Sequence, residues 1–369
     1  MAKNNQPVQV FFGNREISKL KERLEQAGLK DALLITGANV QKSGLANQVK
    51  ELAGSSVLEV AIAKPPNASV ANIDEMVGRI KSLGAKSIIA LGGGSIIDLA
   101  KAVGAAYSQN LRGSEMLKQP DIMTSLPVVA IPTLSGAGSE VTRFAVIAED
   151  GGEPVLLQSD AFYPKIALVD PKLTYSAPPK VTAISGIDVI VHALDSLGSV
   201  RSNIVSESLA LRAARMAFEN LAAAVEDGAD PYAREQMAMA SLLSGTAFSL
   251  TGTAGAYACS KVLVTRYGIP HGEACAFTLD TWYRVNAQVK PKLDDYAREM
   301  GFEDADVLAD EFARLKSLIG LRTTLEQIGV SEGELDEVVA WTMETPNILN
   351  AIANIGAEGV REVFLSKRA

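Results

Sequence analysis

Between residues 32 and 169, short unbroken apolar runs alternate with helical patterns, and beyond Pro178-Pro179 those runs stop. A strand that is apolar at every position must be covered on both faces. The runs at 32–36, 57–62, 87–91, 127–131 and 166–169 therefore predict βαβ units on a mostly parallel sheet. An amphipathic segment over 69–83 and a helix from about Ile97 supply two of the crossovers, and a Gly151-Gly152 turn precedes the last run. Past the prolines, Ala-, Leu- and Glu-rich stretches such as 206–224, 232–248 and 307–319 have the composition of helices. The expected architecture is an α/β dinucleotide-binding domain over residues 1–176 followed by an all-helical domain over 177–369. No period of 20 to 50 residues recurs, which sets solenoids aside.

Composition narrows the function classes. With 47% apolar and 21% charged residues the chain is an ordinary folded globular protein. Its net charge of −8 repels a phosphate backbone, and no basic run interleaved with aromatics offsets it, so no nucleic-acid partner is expected. Cys259 and Cys275 are the only cysteines and form no C-x-x-C motif, which suits a reducing compartment. The polar start Met1-Ala2-Lys3-Asn4-Asn5-Gln6 leads into Val8-Gln9-Val10-Phe11-Phe12 without the apolar stretch of a signal peptide. The apolar runs fall far short of the ~18 residues that cross a bilayer. A cytoplasmic location without a membrane partner is the expectation.

Gly92-Gly93-Gly94-Ser95 stands between a buried strand and a helix start. Glycines let backbone approach a ligand, and the first N–H groups of a helix point at it with the positive end of the dipole, so the turn suits a pyrophosphate. A plain tight turn would look the same, and the loop has neither the G-x-G-x-x-G spacing nor a G-K-[ST] ending. Asp98 sits in the first turn, where the dipole favours an acid, and is read as one of the cofactor-binding residues. A second small-residue loop, 132–140, follows the next strand and brings Thr133, Leu134 and Ser139 to the same sheet end, framing a nucleotide crevice. Asp188 and His192 are four apart on a predicted helix, so they share one face and either chelate a divalent ion or form an ordinary helix pair.

Taken together, Gly92-Gly93-Gly94-Ser95-x-x-Asp98-x-Ala100-Lys101, Pro132-Thr133-x-x-Gly136-x-Gly138-Ser139-Glu140, Asp188-x-x-x-His192 and Pro270-His271-Gly272 resemble the iron-containing alcohol dehydrogenase family. The linking pieces Asp170-Pro171-x-Leu173 and Pro178-Pro179-x-x-Thr182-Ala183 agree as well, so the resemblance runs from about residue 11 to 290. It implies an active-site cleft between the two domains, NAD or NADP as cofactor, a divalent ion held by one Asp and three His, and a homodimer or larger assembly.

Residue by residue, the resemblance carries the metal ligands onto Asp188, His192 and His271. The remaining ligand, fourteen residues before His271, is Tyr257, and a second family histidine near the substrate is Lys261. With two histidines in the whole chain no other imidazole completes the set. A phenol near pKa 10 needs the metal to deprotonate it, and an ammonium one turn away repels a cation. The expectation is weak or absent iron or zinc binding, with Lys261, Tyr257 and His271 as the catalytic groups. Lys261 would be the electrophile or a clamp for an anionic substrate tail; the plain alternative is a solvated helix lysine. Where NAD-preferring members carry an Asp after the second strand, this chain has Gly37, so NADP(H) is favoured over NAD(H). Gly93, Gly94 and Ser95 would hold the pyrophosphate, and Asn67 the ribose side. The resulting reading is an NADP(H)-dependent reductase interconverting a small aldehyde or ketone, acting on an anionic substrate, and its alcohol. The rivals are a non-catalytic nucleotide-binding or structural homologue, and a lyase or cyclase of the dehydroquinate-synthase-like superfamily.

Overall fold

The computed structural model describes residues 5–119, 121–149 and 154–368. The Gly151-Gly152 turn and residues 1–4 of the polar start lie outside the described residues. The chain divides into two compact units, one of Gln6–Leu134 with Gly138–Tyr175, the other of Ser135–Ala137 with the chain from Ser176 onward.

The first unit holds eight strands: β1 (Gln9–Phe12), β2 (Ala32–Gly37), β3 (Val57–Ala63), β4 (Ser87–Gly92), β5 (Val128–Pro132), β6 (Phe144–Ala148), β7 (Pro154–Gln158) and β8 (Ile166–Val169). Six form one sheet in the order β1-β8-β5-β4-β2-β3, with every pairing parallel. Its helices are α1 (Leu20–Gln26), α2 (Ala38–Lys42), α3 (Leu45–Ala53), α4 (Val70–Leu83), α5 (Gly94–Ser108) and α6 (Gly113–Met116). The strand period of two distributes the apolar runs between two cores. Leu33, Ile35, Ile88 and Ala90 pack with Ile73 and Met76 of α4 and Val103 of α5. Leu34, Ile89 and Leu91 pack with Leu24 of α1 and Val49 of α3. This two-sided cover is why β2, β4, β5 and β8 are buried at every position.

Two features depart from the sequence reading. Helix α5 begins at Gly94 rather than near Ile97, because a glycine pair weak in helix propensity is still a good strand-to-helix turn. Strands β6 and β7 pair antiparallel as a separate two-stranded ribbon that the reading did not anticipate.

The second unit is helical: α7 (Pro179–Leu197), α8 (Ile204–Glu226), α9 (Pro231–Thr251), α10 (Gly255–Tyr267), α11 (His271–Phe277), α12 (Leu279–Val289), α13 (Lys292–Glu299), α14 (Ala305–Leu318), α15 (Leu325–Ile328), α16 (Leu335–Glu344) and α17 (Gly356–Leu365). Helix starts are set by side chains: Asn203 accepts from Val205 and Ser206 N–H at α8, and Asp230 accepts from Tyr232 and Ala233 N–H at α9, where Pro231 takes the first position. Among the described residues no helix is long and apolar enough to cross a membrane.

Candidate active site

In the α/β unit the glycine loop leaves β4 and becomes the start of α5. Ile96 and Ile97 make the first intrahelical bonds, to the Gly93 carbonyl, so the N–H groups of Gly94 and Ser95 lie ahead of the ladder. A Cβ on Gly92 would lie 2.8 Å from the Ile96 side chain, and one on Gly93 3.0 Å from Leu134 Cδ1, so the turn has room for backbone only. Asn67 Nδ2 donates to Ser95 Oγ at 3.2 Å, which brings two of the expected cofactor residues together. Thr133 follows β5, its N–H bonded to the Gly92 carbonyl. This donor-rich helix start fits a pyrophosphate. Gly37 ends β2 and caps α2 with extended backbone, and a Cβ there would meet Ile96 Cδ1 only at an ordinary 3.7 Å.

Asp98 is corrected by the structure. It is turned inward: Oδ2 accepts from the Val146 N–H at 3.1 Å, and Lys101 Nζ lies 3.7 Å from Oδ1. Ser139 faces the same carboxylate. Lys101 is itself fully buried, donating to Thr142 Oγ1 and the Phe144 carbonyl, and burial lowers its pKa to about 8 despite the Asp98 charge. Asp98 ties α5 to β6.

The helical unit brings the other expected residues together. Asp188 and His192 lie one turn apart on α7, with His192 Nε2 3.8 Å from Asp188 Oδ1. Both are buried, and neither Asp188 Oδ1 nor either ring nitrogen of His192 has a hydrogen-bond partner. Buried polar atoms are normally paired, so Asp188 Oδ1 and His192 Nε2, facing each other without partners, mark a place built for a charge that the side chains do not supply. Burial raises the Asp188 pKa to about 6, with the nearby His271 opposing. It drives His192 down to about 3, the Gly136 backbone opposing, so the imidazole is neutral and offers a lone pair. The His192 ring stacks on Phe248 with centroids 4.0 Å apart, which fixes its plane.

His271 opens α11. Its Nε2 is 2.6 Å from the Tyr257 hydroxyl and 3.6 Å from Cys275 Sγ. One oxygen of Asp188, one nitrogen of His271 and Cys275 Sγ all lie within 4.8 Å of one another. Gly272 allows this: a Cβ there would collide with the Ile184 carbonyl oxygen and lie 3.2 Å from Asp188 Cβ, so α11 approaches α7 closely only with glycine at the contact. Tyr257 and Lys261 lie one turn apart on α10, Tyr257 partly buried and Lys261 exposed.

Two residues that the sequence reading missed complete the picture. Cys275, one turn after His271, was read only as a marker of compartment. Asp195, one turn after His192, is buried and accepts from the Ala254 N–H at 2.5 Å, capping the start of α10 from α7. Burial pushes its pKa up to about 7, opposed by backbone donors at Ala254, Ala256 and Tyr257. The signal for both was available as a polar residue at helical spacing from an expected ligand in an otherwise apolar helix.

A family model described as iron-containing alcohol dehydrogenase matches residues 7–171, and the C-terminal model of the Fe-containing alcohol dehydrogenase family matches residues 182–367. The chain belongs to the iron-containing alcohol dehydrogenase family. Among relatives of this family, 1-propanol dehydrogenase PduQ of Salmonella typhimurium is 35% identical over 266 residues, 71% of this chain and 68% of that protein. Alcohol dehydrogenase 4 of Schizosaccharomyces pombe is 29% identical over 347 residues, 90% of this chain and 81% of that one. Among solved structures, sulfoacetaldehyde reductase from Bifidobacterium kashiwanohense in complex with NAD+ superposes with a TM-score of 0.96 at 33% identity, covering 100% of this chain and 99% of that one. This member of the iron-containing alcohol dehydrogenase family is thus an oxidoreductase of the alcohol dehydrogenase type, interconverting alcohol and aldehyde with a nicotinamide dinucleotide.

Proposed function

We propose that the protein is an NADPH-linked reductase of short aldehydes that carry an anionic group, working as a homodimer or larger assembly. The observation that carries the substrate class is Lys261: an exposed ammonium one turn from Tyr257 on α10, where the family resemblance places a histidine. A similar structure belongs to a sulfoacetaldehyde reductase, whose named substrate carries a sulfonate. The cofactor preference rests on Gly37, which offers no carboxylate to repel a 2′-phosphate.

In this reading the N–H groups of Gly94 and Ser95 hold the pyrophosphate, aided by the close backbone at Gly93. Hydride passes from nicotinamide C4 to the carbonyl carbon. The Tyr257 hydroxyl donates toward the oxygen on which negative charge grows, and Lys261 pairs with the anionic tail. The orphaned atoms of Asp188 and His192, with the His271 imidazole, fit a divalent ion, which when bound would polarise the carbonyl oxygen. The structure thus favours a metal more than ligand counting in the sequence did.

Purified protein assayed with NADPH against sulfoacetaldehyde, succinic semialdehyde and propanal tests this. The charged aldehydes should show the higher kcat/KM, and Gly37→Asp should shift the ratio of NADPH to NADH efficiency by ~10-fold or more toward NADH, or about 1.4 kcal/mol. Propanal turning over as well as the charged aldehydes would overturn the substrate class; tighter NADH binding by the unaltered protein would overturn the cofactor choice.

A further inference from the structure

The donor set of the helical unit is one short of four if it is counted by imidazoles, and the structure offers two groups for the gap, Tyr257 and Cys275. They differ in every respect that matters to a cation. The Tyr257 hydroxyl is partly exposed and bonded to His271 Nε2, the nitrogen a metal would use. Cys275 Sγ is buried beside the His271 ring, at 3.6 Å to Nε2 and 3.9 Å to Nδ1, with the Ser260 side chain also facing it. Ligand atoms of one tetrahedral ion stand roughly 3 to 4 Å apart, as follows from bonds of ~2.0 to 2.3 Å. The spacing of Sγ from Nε2 is in that range, as is the 3.8 Å between Asp188 Oδ1 and His192 Nε2.

The backbone supports the same grouping. Asp188 and His192 form one i,i+4 pair on α7, and His271 and Cys275 form another on α11. Gly272 lets the two helices touch, which brings Asp188 of α7 within reach of His271 and Cys275 of α11. Asp188, His271 and Cys275 already lie within 4.8 Å of one another, and the unpartnered Asp188 and His192 atoms show that the point lacks a positive charge.

We propose that Cys275 is a thiolate ligand of the divalent ion, forming with Asp188 and His271 a mixed oxygen, nitrogen and sulfur site that favours zinc over iron. The inference rests on the reading that this site takes a cation. Binding converts the Cys275 thiol to thiolate, with its proton released to solvent, and two anionic donors balance the double charge of the ion in a buried place. The Tyr257 hydroxyl, not needed as a ligand, then stays protonated.

The test uses the full-length protein, stripped with chelator and reloaded with cobalt(II) or zinc alone. Cobalt(II) should give a sulfur-to-metal charge-transfer band in the near ultraviolet, lost in Cys275→Ser and retained in Cys259→Ser, whose sulfur is engaged by the Trp282 indole N–H at 3.3 Å. X-ray absorption of the zinc-loaded natural protein, which needs no variant, should show one sulfur at about 2.3 Å. Ligand-field bands without charge transfer, or zinc surrounded only by nitrogen and oxygen, would overturn the role of Cys275 while leaving the site of Asp188, His192 and His271 standing. Failure to take up either metal would overturn both.

Discussion

Lys261 separates two kinds of chemistry at a single side chain. If the ammonium holds a remote anion equally in ground and transition states, Lys261→Ala raises KM for a charged aldehyde and leaves kcat, and the constants for propanal, nearly unchanged. A charged hydrogen bond is worth about 1.5–3 kcal/mol, so the expected rise is ~10- to 150-fold. Steady-state kinetics on the two substrates check it. A fall in kcat on both aldehydes would instead place Lys261 at the reacting oxygen. Asp98 gives the opposite lesson. An acid in the first turn of a helix after a glycine loop reads as a ligand contact, yet its carboxylate accepts from the Val146 N–H, a partner far along the chain that no local spacing reveals, and lies beside Lys101 one turn on.

Helix packing decides whether the α7 and α11 residues meet. Gly272→Ala would force α11 off the Ile184 carbonyl and away from Asp188. Overpacking of this kind typically costs 1–3 kcal/mol, and here it also separates the two halves of the ligand cluster. The expected outcome is a lower melting temperature together with loss of cobalt uptake; a variant with natural cobalt binding would show that the close approach is not needed. The same contact explains what could and could not be read in the sequence. Strands β2, β4, β5 and β8 were legible because burial on both faces leaves an unbroken apolar run. The β6 and β7 ribbon was not: Phe144–Ala148 is apolar throughout, but the strands are half exposed and pair antiparallel outside the main sheet, which the apolar run alone does not reveal. Asp188, His192, Tyr257 and His271 could be found because each belongs to a local spacing. Cys275 and Asp195 each stand at helical spacing from an expected ligand, but the roles they take come from helices that meet through Gly272 and at Ala254, and local spacing does not reveal pairings between distant segments.

Across the whole molecule, folding moves protons. Burial lifts Glu140 in the α/β unit and Asp195 in the helical unit each to about 7. Between its ordinary 3.8 and about 7, Asp195 keeps its proton when folded and loses it when unfolded, so stability falls as pH rises through that window and levels off above it. His192, held down at about 3, acts in the opposite sense, destabilising the fold as pH falls below 6.5. Asp195→Asn removes one contribution cleanly. Its melting temperature relative to the natural protein, measured without metal, should climb by several degrees from pH 4 to pH 7 and then stay level, and a difference independent of pH would contradict the burial of this proton. The division of the chain carries a consequence of another kind. Ser135–Ala137 lies in sequence between β5 and β6 but belongs with the helices, where the Gly136 N–H bonds Ser241 Oγ at 2.9 Å and a Cβ would stand 2.6 Å from the Ser185 carbonyl. No single break at residue 176 yields two whole modules, because the helical half would lack its tripeptide. A cut at residue 176 would make two genetic cassettes only by stripping the helical one of Ser135–Ala137, and during synthesis those three residues leave the ribosome long before the helices they join.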